Sequence, residues 1–220
     1  MNKRTLKNFA AAGLLLAAFL IFTILVQCID VQPIGPNGSL VGFAAVNGRF
    51  HALTGVHWTL YYLTDRLELA AIGIAFSFAV LGLLQLIRRR SLREVDRSIL
   101  ILGVFYLAVI AAYLFFEAHA VNYRPVLIES VLEASYPSST TVLVLCVHVT
   151  AMMQLRARMP RGATRTIVLW LLGAFTVFMV LARLVSGVHW LTDIVGGILL
   201  SAALVLLYRT AVLASEGAAI

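Results

Sequence analysis

The chain has 220 residues, of which 61% are hydrophobic and only 12% charged, and its mean hydropathy is +0.96. A soluble domain carries about twice that charged fraction, so a water-soluble fold is excluded and an integral membrane protein is expected. Backbone hydrogen bonding in lipid leaves helices or a closed barrel, and long uninterrupted apolar runs, rather than alternating segments of about ten residues, select helices.

Lys3, Arg4 and Lys7 precede an apolar run from about Phe9 to Cys28. The run is longer than a signal-peptide core and ends Val-Gln-Cys rather than in small residues, so it reads as an uncleaved first span. Pro33, Gly35, Pro36, Asn37, Gly38, Gly42 and Gly48 then break the chain into a loop with short amphipathic pieces, extending to about Arg66. Trp58, Tyr61 and Tyr62 in its last part suit a membrane interface. Gly55-Val56-His57-Trp58 recurs as Gly187-Val188-His189-Trp190. The acid that follows the first copy, Asp65, lies eight residues beyond its histidine rather than four, so that copy reads as interfacial.

A second apolar run, about Leu67 to Ile87, stops at Arg88-Arg89-Arg90, and a third covers about Ser98 to Phe116. A polar stretch from Glu117 to Tyr136 contains Arg124-Pro125. The fourth run, about Pro137 to Leu155, ends among Arg156, Arg158, Arg161 and Arg165. The fifth covers about Thr166 to Arg183 and the sixth about Thr192 to Leu213. Each is near the ~20 residues that cross the hydrocarbon. The expected fold is therefore all-α and polytopic, a single domain over residues 1–220. It is a bundle of six transmembrane helices with loops at about 29–66, 117–136 and 184–191 on one side.

The net charge of +7 is unevenly placed. Of the seventeen Lys and Arg residues, all but Arg49, Arg66, Arg124 and Arg183 fall on the side of the two termini. By the positive-inside rule the termini are cytoplasmic and the three loops extracytoplasmic. Charge distributed in this way is a topology signal, so no nucleic-acid partner is expected. Cys28 and Cys146 lie in or beside apolar runs and read as small core residues, without a disulfide or a zinc site. His148, inside the fourth run, reads as a neutral histidine bonded to a neighbouring helix, although ionisable residues within spans are functional candidates by default.

The stretch Arg183-Leu-Val-Ser-Gly-Val-His-Trp-Leu-Thr-Asp193 gathers three functional side chains between two apolar runs. On a helix His189 and Asp193 share a face, so the carboxylate holds one ring nitrogen and leaves the other free, as a nucleophilic or general-base histidine requires. Gly187 supplies room for a tight turn, and Arg183 can grip an anion with two parallel hydrogen bonds. Ser138 and Ser139, at a helix start, can cap that helix or present hydroxyls and amides to an anion.

These residues resemble the type 2 phosphatidic acid phosphatase family, the membrane lipid phosphate phosphatases, whose signatures are Lys-x6-Arg-Pro, Pro-Ser-Gly-His and Ser-Arg-x5-His-x3-Asp. The third is matched by Arg183, His189 and Asp193, with Ala182 in place of the serine. The first is matched at Arg124 and Pro125, with Glu117 where the lysine belongs. The second stands as Pro137-Ser138-Ser139-Thr140, with threonine in place of histidine. The resemblance implies that His189 attacks phosphorus to form a phosphohistidine, that Asp193 orients it, and that Arg124 and Arg183 bind phosphate. Ser138, Ser139 and Thr140 would contact the same group.

A carboxylate at position 117 opposes a phosphate dianion, by about 4 kcal/mol for a unit pair at ~4 Å in an intermediate dielectric. Thr140 donates a hydrogen bond but is no acid near neutral pH. Glu117 is accordingly read as the substitute acid, with His119 as the other candidate. The expected function is hydrolysis of a lipid phosphate or pyrophosphate without metal or cofactor, at the extracytoplasmic face of a bacterial inner (plasma) membrane. The rival readings are a catalytically impaired lipid-phosphate binder on the same fold and a small transporter.

Overall fold

The computed structural model describes residues 3–217. Among them are seven α-helices and no strand: α1 (Lys3–Cys28), α2 (Ala44–Thr54), α3 (Trp58–Arg89), α4 (Arg97–Ala118), α5 (Ser139–Arg158), α6 (Ala163–Val185) and α7 (Leu191–Gly217). All but α2 are long and apolar enough to cross a membrane, so the all-helical, six-span architecture expected from the apolar runs is the one found.

The boundaries differ in informative places. Helix α3 begins at Trp58 rather than near Leu67, so the segment read as a loop to Arg66 contains all of α2 and the opening turns of α3. The left-handed backbone of Gly55 (φ 67°) turns the chain between the two helices. Trp58, Tyr61 and Tyr62 then pack ring against ring on the first turns of α3. These edge-on and tilted contacts lie on the first turns of a helix that runs on through Asp65, Arg66 and Glu68. Helix α4 likewise continues through Glu117.

Helix α5 forms the centre, packing against α3, α4, α6 and α7, while α7 also lies along α1. Val144, Cys146, Val147 and Ala151 are buried on α5, and Leu200, Ala203 and Tyr208 on α7. Leu14, Phe76, Val104 and Trp170 point away from the bundle, as side chains facing lipid tails do. His148 donates or accepts one hydrogen bond with Thr176 of α6, Nδ1 to Oγ1, at 3.0 Å, so it is tied to a neighbouring helix as its position suggested. Cys146 is buried, but Cys28 is exposed at the end of α1 and is not a core residue.

At one end of the bundle Asp96 pairs with Arg89 at 3.1 Å and Arg158 at 3.0 Å, joining the α3–α4 connection to α5. At the opposite end the chain between α4 and α5 is anchored by Tyr136. Its ring stacks near Phe19, Phe22 and Phe116, and its hydroxyl meets Thr23 at 2.8 Å. Gly42 packs so tightly on the last turns of α1 that a Cβ there would sit 1.6 Å from the carbonyl oxygen of Val26. Gly42→Ala is therefore expected to destabilise the fold by about 1–3 kcal/mol, the usual cost of forcing extra volume into a packed contact, read as a lowered midpoint of thermal unfolding in detergent.

Candidate functional site

The three segments singled out in the sequence meet at the end of the bundle where α5 and α7 begin. Helix α7 starts with Asp193 reaching back: its Oδ2 accepts from the backbone N–H of Trp190 at 2.9 Å, half of a capping box. The backbone carbonyl of Asp193 accepts from the N–H of Ser138 at 3.0 Å, which fixes the first turn of α5 to the first turn of α7. Ser138 caps α5, its hydroxyl accepting from Thr141. That hydroxyl is engaged in holding the helix, whereas Ser139 and Thr140 stand on a cavity wall.

His189 is buried between Asp193 and Arg124. Its Nδ1 lies 3.5 Å from Asp193 Oδ2, an ion-pair distance rather than a close hydrogen bond. Its Nε2 lies 3.1 Å from Arg124 Nη1. A guanidinium can only donate, so Nε2 is the acceptor and carries no hydrogen, and the ring proton resides on Nδ1 facing the carboxylate. This is the tautomer in which Nε2 offers its lone pair. Burial, and then the nearby charges of Arg124 and Arg183, hold the His189 ring well below the ordinary histidine pKa of 6.5. It is a free base at neutral pH.

The two guanidinium groups are held differently. Arg124 is tied to the loop by its own backbone N–H, which donates to the Glu133 carbonyl at 3.0 Å, and by an ion pair from Nε to Glu133 at 2.9 Å. Arg183 is almost fully buried, with Nη1 donating to Thr64 at 3.2 Å and its charge 4.9 Å above the Tyr61 ring, a cation–π distance. Its Nε has no hydrogen-bond partner among the described residues. A buried donor left unmatched costs about 1–3 kcal/mol.

Polar residues that the sequence analysis passed over complete the frame. Asn47 of α2 donates to Thr192 at 2.9 Å and accepts from the Thr192 backbone N–H at 3.2 Å. Asn122 reaches Asp193 Oδ1 at 3.4 Å. Gly187 takes a left-handed turn (φ 72°), and a Cβ there would lie 1.9 Å from the carbonyl oxygen of Gly55, so the two Gly-Val-His-Trp copies pack directly on each other. His57 donates its backbone N–H to Ser186 at 2.9 Å while its ring is exposed, bonded to Thr54. The first copy thus braces the second.

A cavity of about 600 Å³ opens beside these residues, between α3, α4 and α5. Arg124, Glu133, Ser139, Thr140, Glu68 and Glu117 line its polar part. Ile72, Val109, Ile110, Val142, Leu143 and Leu200 line its apolar part. His189, Asp193 and Arg183 do not form its wall. Glu117 is exposed at the end of α4 and makes no hydrogen bond or ion pair with another described residue. His119 is exposed as well, its ring stacked on Phe115. The carboxyl that touches the second signature is Glu68 of α3, whose Oε2 lies 2.6 Å from the Thr140 hydroxyl. Glu68 lies inside a span, so His148 is not alone in that respect; a glutamate within an apolar run is the signal that marks it in sequence. Among the described residues no group of three or more His, Cys, Asp or Glu is placed to share a metal ion.

The spacing that brought these segments together is also a family's. Residues 118–216 match the family model described as PAP2 superfamily. The matched PAP2 segment holds Arg124, Thr140, Arg183, His189 and Asp193, whereas Glu68 and Asn47 lie outside it. The fold extends further: the crystal structure described as the first transmembrane PAP2 type phosphatidylglycerolphosphate phosphatase from Bacillus subtilis aligns with a TM-score of 0.50 and 19% identity, covering 90% of this chain and 94% of that one. At that identity the likeness is one of fold. No curated protein matches the chain.

The imidazole's surroundings generate a direct test. In histidine-labelled protein followed by NMR, the His189 ring is expected to stay neutral as the pH falls through 6.5, because burial and both arginines disfavour its cation. Arg124→Gln removes one of those charges and should move the titration to higher pH.

Proposed function

We propose that the protein is a membrane-embedded phosphatase that hydrolyses a lipid phosphate or pyrophosphate through a phosphohistidine intermediate. The observation that carries this reading is the placement of His189 Nε2, free of hydrogen, braced from behind by Asp193 and 3.1 Å from the Arg124 guanidinium.

In the first step the phosphoryl group settles between Arg124 and Arg183, and Arg124 passes from the imidazole to the phosphoryl oxygens. The Nε2 lone pair forms a bond to phosphorus as the bond from phosphorus to the lipid oxygen breaks, and the leaving oxygen takes up a proton. In the second step water attacks phosphorus, the phosphorus–nitrogen bond breaks, the water's proton returns to the protein and His189 regains its neutral form. Asp193 steadies the positive charge on the ring during both transfers, and the two guanidinium groups offset the charge on the phosphoryl oxygens. Ser139 and Thr140 supply further contacts. The apolar part of the cavity beside Arg124 and Thr140 gives a lipid tail a place to lie while its head group reaches the arginines.

The basic end of the bundle, with Arg89, Arg158 and their neighbours, supports a cytoplasmic placement of both termini by the positive-inside rule. The site then faces the extracytoplasmic side of a bacterial inner membrane. A second reading, a lipid-phosphate binder with impaired catalysis, is favoured by one feature: Thr140 stands where the family's signature has a proton-donating histidine.

Phosphate release by purified protein from phosphatidic acid, phosphatidylglycerol phosphate and polyprenyl pyrophosphate separates the two readings. His189→Ala is expected to lower turnover by at least ~10⁴-fold, the scale on which loss of a nucleophile acts, and to abolish acid-labile ³²P trapped on the unmodified protein. Binding of the lipid with no release and no trapped label would leave only the binder.

A further inference from the structure

Breaking a bond from phosphorus to an alkyl oxygen leaves an alkoxide, which must be protonated as it departs. Thr140 occupies the place of a proton donor and is not one near neutral pH. Its hydroxyl, however, is not isolated. It lies 2.6 Å from Glu68 Oε2, a normal distance for a hydrogen bond between a hydroxyl and a carboxyl oxygen. Both residues line the cavity beside Arg124. The Glu68 carboxyl also lies within electrostatic reach of Arg183 and Arg124. The other acids on the cavity wall are placed differently. Glu133 is committed to its ion pair with Arg124, and Glu117 stands exposed with no hydrogen-bond or ion-pair partner among the described residues.

We infer that Glu68 is the proton source for the leaving group and that Thr140 relays the proton, the pair standing in for the missing histidine. This rests on the phosphatase reading above. Glu68 enters the reaction as the carboxylic acid, a form that does not repel the phosphoryl dianion held by the same arginines. As the bond from phosphorus to the lipid oxygen breaks, the Thr140 hydroxyl gives its hydrogen to the leaving oxygen and takes the carboxyl hydrogen of Glu68, which becomes a carboxylate. In the second step the attacking water's proton returns through Thr140 to Glu68, so the pair ends as it began.

The test compares two esters bearing the same long tail in the same mixed micelles: an alkyl phosphate, whose leaving group needs a proton, and a nitrophenyl phosphate, whose leaving group departs as the anion. Glu68→Gln is expected to lower kcat on the alkyl ester by about 10²–10⁴-fold, the range of a general acid, and on the nitrophenyl ester by less than about tenfold. Retained turnover of the second ester shows that the variant is folded. Thr140→Val should give the same ester-selective loss, and Glu68→Gln combined with Thr140→His should recover turnover of the alkyl ester. An equal fall on both esters, no fall on either, or the selective loss appearing in Glu117→Gln instead would each overturn the assignment of Glu68 while leaving the phosphatase reading intact. Absence of phosphate release and of phosphohistidine in the unmodified protein would remove that reading and this one with it.

Discussion

The arrangement at the mouth of the bundle depends on one buried carboxylate. Asp193 caps its own helix through Trp190, holds the α5 start through its backbone carbonyl, receives Asn122 from the α4–α5 connection and stands behind the His189 ring. These contacts bring the α6–α7 turn, the α4–α5 connection and the start of α5 together at one residue, the one that faces the imidazole. Its burial is tolerable because these donors surround it, since a buried polar group left without partners costs about 1–3 kcal/mol. Position and charge compensation are one problem solved by the same hydrogen bonds.

The arginines show the opposite balance. Arg124 has a carboxylate of its own in Glu133, so it is neutralised and attached to a loop. Arg183 has a hydroxyl, an aromatic face and an unmatched Nε, all within the protein's interior. Both guanidinium groups lie near the buried imidazole, and of the two only Arg124 has an ion-pair partner among the described residues. For the phosphatase proposed above, that positive charge is what would favour a phosphoryl group.

Much of this could be read along the chain because the relevant relations are local. Apolar runs of span length give six helices, whereas His189 stands in the turn before α7 rather than on the helix, so its approach to Asp193 comes from that turn and not from a shared helix face. Arg124, far from His189 in sequence, was legible only through the motif it shares with a family. What was not legible is decided by distant partners. Asp65, Arg66 and Glu68 look like the edge of a span until Trp58, Tyr61 and Tyr62 start the helix ahead of them. Asn47 reads as one more polar residue in a glycine-rich loop, and only its bonds to Thr192 reveal it as the bolt between α2 and α7. Glu117 attracted interest because it occupies a motif position, yet the carboxyl in contact with Thr140 comes from a helix with no motif at all. Cys28 shows the limit of inferring burial from apolar neighbours, because in a bilayer those neighbours face lipid.

The packing of Gly187 on Gly55 has a mechanical consequence. With no side chain on either residue, the elbow joining α2 to α3 and the elbow joining α6 to α7 touch through their backbones, and the His57 to Ser186 bond rivets them. The two elbows therefore move as a single hinge plate. Among the described residues α2 is the one α-helix outside the set long and apolar enough to cross a membrane. The α2–α3 elbow and the turn that carries His189 are thus joined backbone to backbone despite their separation along the chain.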